Sequence, residues 1–69
     1  MNQFLTLTHF LGGKPVTWTF AYNDVGERRY LFCQNHNGRT HAFGTPEELT
    51  RKVARFIQIG YSPCPSEKL

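Results

Sequence analysis

The sequence predicts an α+β domain, in which a small antiparallel sheet of three to four strands carries one C-terminal helix packed across one face. Three observations predict this fold class. Residues 16–22 alternate in side-chain type with the period of two that is typical of strands, and residues 28–34 of a second predicted strand have strong strand propensity. The pair Asn37-Gly38 is the strongest two-residue hairpin signal. Residues 45–60 then change to the apolar spacing of an amphipathic helix.

The helix is predicted near residues 46–59 because both of its ends carry local signals. Thr45 is a preferred N-cap, Pro46 suits the first helical position, and Glu48 completes a T-x-x-E capping box. Gly60 is the expected residue just beyond the last helical turn. One apolar stripe is predicted to face the sheet, and it consists of Leu49, Val53, Phe56 and Ile57.

The chain is expected to form a single domain over residues 1–69, with a loose tail at 64–69. The four strands are predicted near 4–10, 16–22, 28–35 and 39–43, the first of them on weaker alternation. Gly26 is expected to supply a positive φ in the turn at 23–27, and residues 12–15 separate the first two strands.

A two-residue turn at Asn37-Gly38 would set the register of the last hairpin. It would place Cys33 opposite Ala42 and Phe32 opposite Phe43. The predicted core face then holds Tyr30, Phe32, Gln34, His36, Arg39, His41 and Phe43, beside Trp18, Phe20 and Tyr22 of the neighbouring strand. The predicted open face holds Arg29, Leu31, Cys33, Asn35, Thr40 and Ala42, beside Thr17, Thr19 and Ala21.

The stretch "CQNHNGRTH" at 33–41 also contains candidate metal ligands and a candidate nucleophile. The predicted register separates Cys33 from His36 and His41, so neither a zinc site completed by Cys64 nor a cysteine–histidine dyad is expected. A Cys33–Cys64 disulfide is not expected either, because Cys33 would lie on the open face. The sequence therefore predicts no catalytic residue, no metal, no cofactor and no enzymatic activity.

Composition and charge favour a soluble binding protein. The chain has 69 residues, two cysteines and a net charge of +3, which is mildly basic. No signal peptide and no membrane span are evident, and the low cysteine content favours a cytoplasmic location with reduced thiols.

A protein surface is the first choice of partner, and a second copy of the chain is a further possibility. The open sheet face and the hairpin tip would form the docking site, because Leu31 and Cys33 make an apolar spot on an otherwise mixed, flat surface. The expected partner-binding residues are Arg29, Leu31, Cys33, Asn35, Arg39 and Thr40, with Arg51 and Arg55 as a second patch.

Nucleic acid is the alternative partner, bound by the sheet and a basic helix face. The basic set comprises Arg28, Arg29, Arg39, Arg51, Lys52 and Arg55, together with Lys14. Pairing at i,i+4 is expected to neutralise part of it, Glu47 with Arg51 and Glu48 with Lys52. A solvated, salt-bridged helix face is the competing interpretation.

Two resemblances accompany these hypotheses. Over residues 16–58, the order of three strands and a helix, with "FGTPEEL" leading into the helix, is similar to the arm-type DNA-binding domains of tyrosine recombinases. In size and layout the chain also resembles small phage-encoded inhibitors such as anti-CRISPR proteins. That second resemblance implies a phage accessory protein that inhibits or regulates a partner by covering its surface.

Overall fold

The computed structural model describes residues 2–63, which form a five-stranded antiparallel sheet with one helix on one face. In chain order the elements are β1 (Asn2–Leu11), β2 (Lys14–Val25), β3 (Arg28–Asn35), β4 (Thr40–Phe43), α1 (Pro46–Gln58) and β5 (Ser62–Pro63). The sheet order is β4-β3-β2-β1-β5. The predicted α+β class is confirmed, but the number of strands is five rather than three to four. The predicted tail at 64–69 lies outside the described residues.

The additional strand is β5, which follows the helix and pairs with the outer side of β1. Its two residues, Ser62 and Pro63, lie opposite Thr8 and Leu7. Pro63 was expected to stop the helix, and here it also joins the sheet at an edge, where its missing N–H is tolerated.

The first two hairpin turns are shorter than the sequence suggests. Gly12 and Gly13 both have positive φ, of 60° and 82°, which fits the type I′ turn that joins β1 to β2. The turn between β2 and β3 uses Gly26, with φ 63°, and Glu27, and Val25 pairs directly with Arg28. The positive φ predicted for Gly26 is confirmed, and β2 extends three residues further than expected.

The β3–β4 hairpin contradicts the predicted register. Asn37 does not have the positive φ that a type I′ turn requires, whereas Gly38 has a φ of 87°. The N–H of Gly38 donates to the carbonyl of Asn35 (3.0 Å), and the N–H of Asn35 donates to the carbonyl of Arg39 (2.9 Å). This is a three-residue loop, a type I turn followed by a left-handed glycine. Cys33 therefore lies opposite His41, one residue away from the predicted pairing.

A shift of one residue exchanges the two faces of β3. Leu31 and Cys33 lie on the face that the helix covers, where Cys33 pairs with Phe20. Tyr30, Phe32 and Gln34, which the predicted register placed in the core, lie on the open face. The predicted faces of β2 and β4 hold: Trp18, Phe20 and Phe43 pack in or against the core, and Ala42 faces outward.

The core lies between the helix and the centre of the sheet. Leu7, Phe20 and Cys33 are fully buried, and Phe56 and Tyr61 complete the cluster. Most of the core is aromatic because a chain this short has few side chains with which to fill it.

The helix bounds and caps confirm the prediction. The side chain of Thr45 accepts a hydrogen bond from the N–H of Glu48, and the side chain of Glu48 accepts one from the N–H of Thr45. At the other end, Gly60 has a φ of 122°. The N–H of Tyr61 reaches the carbonyl of Phe56, and their rings lie 4.8 Å apart, which is a Schellman motif with its hydrophobic contact.

The helix stripe is narrower than predicted. Leu49, Val53 and Phe56 pack into the core cluster, but Ile57 is 49% exposed. Phe56 makes the main aromatic contact with the sheet, because the centroid of its ring lies 5.6 Å from that of Trp18 and 6.0 Å from that of Phe20.

Replacing Gly38 by alanine should lower the free energy of unfolding by about 1 kcal/mol or more, because a Cβ is strained at this positive φ. Asn37→Ala should change it by less than about 0.5 kcal/mol, since Asn37 has an ordinary φ. Urea unfolding of both variants measures the difference. Equal losses would contradict the three-residue loop, because a type I′ turn needs positive φ at both positions.

Candidate functional site

In the observed register, half of the predicted docking residues lie away from the open face. Cys33 is fully buried and Leu31 is partly buried beneath the helix side of the sheet. The side-chain oxygen of Asn35 accepts hydrogen bonds from the N–H groups of Asn37 and Arg39, both at 2.9 Å. These three side chains therefore serve the fold and do not form the predicted apolar spot.

Arg29 is exposed, but it is engaged within the β2–β3 hairpin. Its guanidinium donates two hydrogen bonds to Asp24, at 2.8 and 3.2 Å, and lies 3.9 Å from the ring centroid of Tyr22. The hydrogen bonds from Arg29 lower the pKa of Asp24, and the same bonds raise the pKa of Arg29. Arg29 is thus a paired charge on the helix side, and not the open-face residue that was predicted.

Cys33 and His41 are cross-strand neighbours, so the predicted separation of the two was wrong. The chemistry of the thiol nevertheless disfavours a metal or nucleophile role. Desolvation raises the pKa of Cys33 to about 11, and the charge of Lys52 acts in the opposite direction. Within residues 2–63 no group of three histidine, cysteine or acidic side chains is placed to hold a metal ion. Cys64, the partner in the disulfide and zinc site that were considered and not expected, lies outside the described residues.

The remaining predicted residues converge on one surface between β4 and the helix. Arg39 and Thr40 lie at the hairpin tip, and Arg51 and Arg55 lie on the exposed side of α1. Two neighbouring depressions, of about 290 and 270 Å³, connect these groups, and Lys52 and His41 line both. We call the set formed by Arg39, His41, Arg51, Lys52 and Arg55 the cationic surface.

The acidic residues of the helix do not form the expected ion pairs within the described residues, although Glu48 lines one depression of the cationic surface. One oxygen of Glu48 accepts hydrogen bonds from the N–H groups of Gly44 (2.6 Å) and Thr45 (3.2 Å). Over residues 2–63 the one ion pair is Arg29–Asp24, so neither Glu47–Arg51 nor Glu48–Lys52 forms. Lys52 instead lies 5.4 Å from the centroid of the Phe56 ring.

The open sheet face contains aromatic residues that the predicted register assigned to the core. Tyr30 is 49% exposed, and Phe32 is partly exposed. Beside Phe32 lies a depression of about 170 Å³, lined by hydroxyl, amide and imidazole side chains and by Ala21, which is 1% exposed. The sequence signal that places Tyr30 and Phe32 on the open face is the Gly26-Glu27 turn. A two-residue loop there sets Cys33 opposite Phe20, so Cys33 lies on the helix side and its neighbours face outward.

The comparisons with known proteins place this chain in no family. A scan against protein-family models finds no match, and searches of curated proteins and of solved structures find none. In the described part of the chain, no helix has both the length and the apolar character to cross a membrane. The chemistry of the surfaces therefore carries the functional proposal.

Cys33 should resist thiol reagents in the folded protein. With a pKa of about 11 instead of the ordinary 9.0, its thiolate fraction at pH 8 falls about a hundredfold, and burial also blocks access. In a Cys64→Ser background, a colorimetric disulfide reagent should react at least about a hundred times more slowly in buffer than in urea. Rapid reaction in buffer would show that Cys33 is exposed on the open face, where the register predicted from the sequence placed it.

Proposed function

We propose that this protein is a small non-enzymatic binding module that docks to a nucleic acid through the cationic surface. The observation that carries the proposal is the group of four basic side chains, Arg39, Arg51, Lys52 and Arg55, none of which forms an ion pair within residues 2–63. Glu48 lines one of the same depressions, but its carboxylate is hydrogen-bonded to the backbone N–H groups of Gly44 and Thr45. Phosphate groups of a nucleic acid supply the complementary charge at regular spacing.

The geometry of the cationic surface suits backbone contacts. Arginine forms two parallel hydrogen bonds with a phosphate, and Arg51 and Arg55 lie one helical turn apart on the exposed side of α1. Arg51 and Arg55 line one of the two depressions, so a phosphodiester that enters it would meet both guanidinium groups. Such contacts would position a nucleic acid without reading its sequence.

The absence of enzymatic activity stays a prediction, and the dimensions of the described surface support it. Three depressions lined by described residues measure about 170, 290 and 270 Å³, at or below the roughly 300 Å³ at which ligand pockets begin. The candidate nucleophile, Cys33, is buried and holds its proton. A cytoplasmic setting also stays a prediction, based on the low cysteine content.

Docking to a protein surface, the first choice from sequence, remains a second candidate. It is favoured by β4, which is an edge strand among the described strands and leaves one side of its backbone free to pair with a partner strand. An acidic strand would also complement the neighbouring arginines. An inhibitory role by covering a partner's surface belongs to this candidate.

Arg55→Gln should weaken binding of the protein to a short DNA oligonucleotide several-fold at low salt. It should also reduce the slope of log affinity against log salt by about 0.7–0.9, the contribution of one phosphate contact. Fluorescence anisotropy across a salt series measures both quantities.

The matched control is Lys14→Gln, which removes the same charge from the exposed start of β2, at the β1–β2 turn. It should change the salt slope much less than Arg55→Gln does. Equal effects would mean that net charge alone drives binding, and flow-through of the protein on a DNA column at low salt would exclude nucleic acid as the partner.

A further inference from the structure

We propose that the open sheet face binds single-stranded nucleic acid by stacking bases on Tyr30 and Phe32, while the backbone passes over β4 to the cationic surface. This inference rests on the proposed function and specifies its ligand. A duplex is a poorer ligand for such a face, because its bases are already stacked on one another and paired.

The two rings are spaced as a stacking platform requires. Tyr30 and Phe32 are two positions apart on β3, so they point to the same face with their Cα atoms about 6.7 Å apart. That separation is roughly twice the distance between stacked bases in a duplex strand. Two bases of an extended, unstacked strand could therefore each meet one ring.

The depression beside Phe32 offers hydrogen bonds to the edge of a stacked base. Thr17 and Thr19 contribute hydroxyls, Gln34 a carboxamide and His36 an imidazole, and the small side chain of Ala21 leaves the space. At about 170 Å³ the depression is too small for a typical ligand but suits one flat ring. Recognition of splayed bases combines these two elements, an aromatic face and polar groups at the base edge.

Charge on the open face also favours an anionic ligand. By strand alternation, the open positions of β1 to β4 within residues 2–63 hold no aspartate or glutamate. Arg28 lies on this face two residues before Tyr30, and it takes part in no ion pair within the described range. A phosphate next to a base stacked on Tyr30 would therefore lie near Arg28.

The platform and the cationic surface are continuous across β4. Phe32 is the direct cross-strand partner of Ala42, and Ala42 lines the depression that also contains Arg51, Lys52 and Arg55. Adjacent strands lie about 4.8 Å apart, so a strand of nucleic acid reaches the edge of the sheet within about one nucleotide of Phe32. Alternating aromatic and basic contacts of this kind are how proteins hold single strands without strong sequence preference.

The test compares four oligonucleotides of equal length by fluorescence anisotropy: single-stranded DNA, single-stranded RNA, duplex DNA and an abasic DNA strand. The wild-type protein should bind both single strands about fivefold or more tightly than the abasic strand, which has the phosphates but no bases. Tyr30→Leu, at an exposed position, should weaken binding of the normal single strands and leave binding of the abasic strand unchanged. Phe32→Leu should do the same.

The matched control is Phe4→Leu, the same chemical change at a side chain that is 50% exposed and lies next to Tyr22 of the helix-side face. It should leave all four affinities unchanged, and circular dichroism checks that every variant is folded.

Four outcomes would overturn the inference. Equal affinity for the normal and abasic strands, or a preference for the duplex, would remove base stacking while leaving the Arg55→Gln effect, and thus the proposed function, in place. Tyr30→Leu variants that bind like the wild type would do the same. No binding of any oligonucleotide at low salt would overturn both proposals and would point to a protein partner instead.

Discussion

The arrangement of this sheet depends on two hydrogen bonds that the side chain of Asn35 accepts. Its oxygen accepts hydrogen bonds from the N–H groups of Asn37 and Arg39, which holds the chain in a type I turn and leaves Gly38 to take the positive φ. The three-residue loop then fixes which residues of β3 and β4 are partners. Because side chains alternate along a strand, that single choice decides which surface of β3 meets the helix and which meets the solvent.

Packing supports the same register as the turn. Next to Phe20 lie the rings of Phe43 and Phe56, each with its centroid 6.0 Å from the centroid of the Phe20 ring. The small side chain of Cys33 fits into the space opposite Phe20. Moving β3 by one residue would bring Phe32 into this space, and overpacking of a filled core costs typically 1–3 kcal/mol. The larger apolar surface of phenylalanine would favour its burial, but there is no room for another ring.

The features that sequence predicted well are those that depend on neighbours in the chain. Thr45, Glu48 and Gly60 act as predicted because each makes its hydrogen bonds within a few residues of itself. The register was not predictable from Asn37-Gly38 alone, because a type I′ turn and a type I turn with a following glycine both use that pair. The combination of Asn35 at the first turn position and Gly38 at the fourth favours the second turn. Strand β5 has two residues and no pattern, so it forms only through its contact with β1.

The same dependence on local hydrogen bonds explains why Glu48 does not form the i,i+4 ion pair that the sequence predicts. One oxygen of Glu48 accepts hydrogen bonds from the backbone N–H groups of Gly44 and Thr45, and two N–H groups in fixed positions are better partners than a mobile ammonium in water. An exposed i,i+4 ion pair contributes about 0.3–0.5 kcal/mol, whereas a helix cap contributes about 1 kcal/mol. The Glu48 carboxylate therefore caps the helix, and the basic side chains Arg51 and Arg55 of α1 face the solvent.

Functional residues are expected where a sequence departs from what stability alone requires, and β3 shows such a departure. A solvent-facing strand surface is normally polar, yet Tyr30 and Phe32 occupy successive outward positions, and Gln34 follows them. The turn and the filled core explain why these rings cannot lie inside, but they do not explain why the outward positions carry rings at all. Threonine or glutamine there would satisfy the sheet equally well. A surface that presents two aromatic faces beside an edge whose basic side chains form no ion pair within residues 2–63 is suited to a flat, anionic ligand, and a single strand of nucleic acid has both properties.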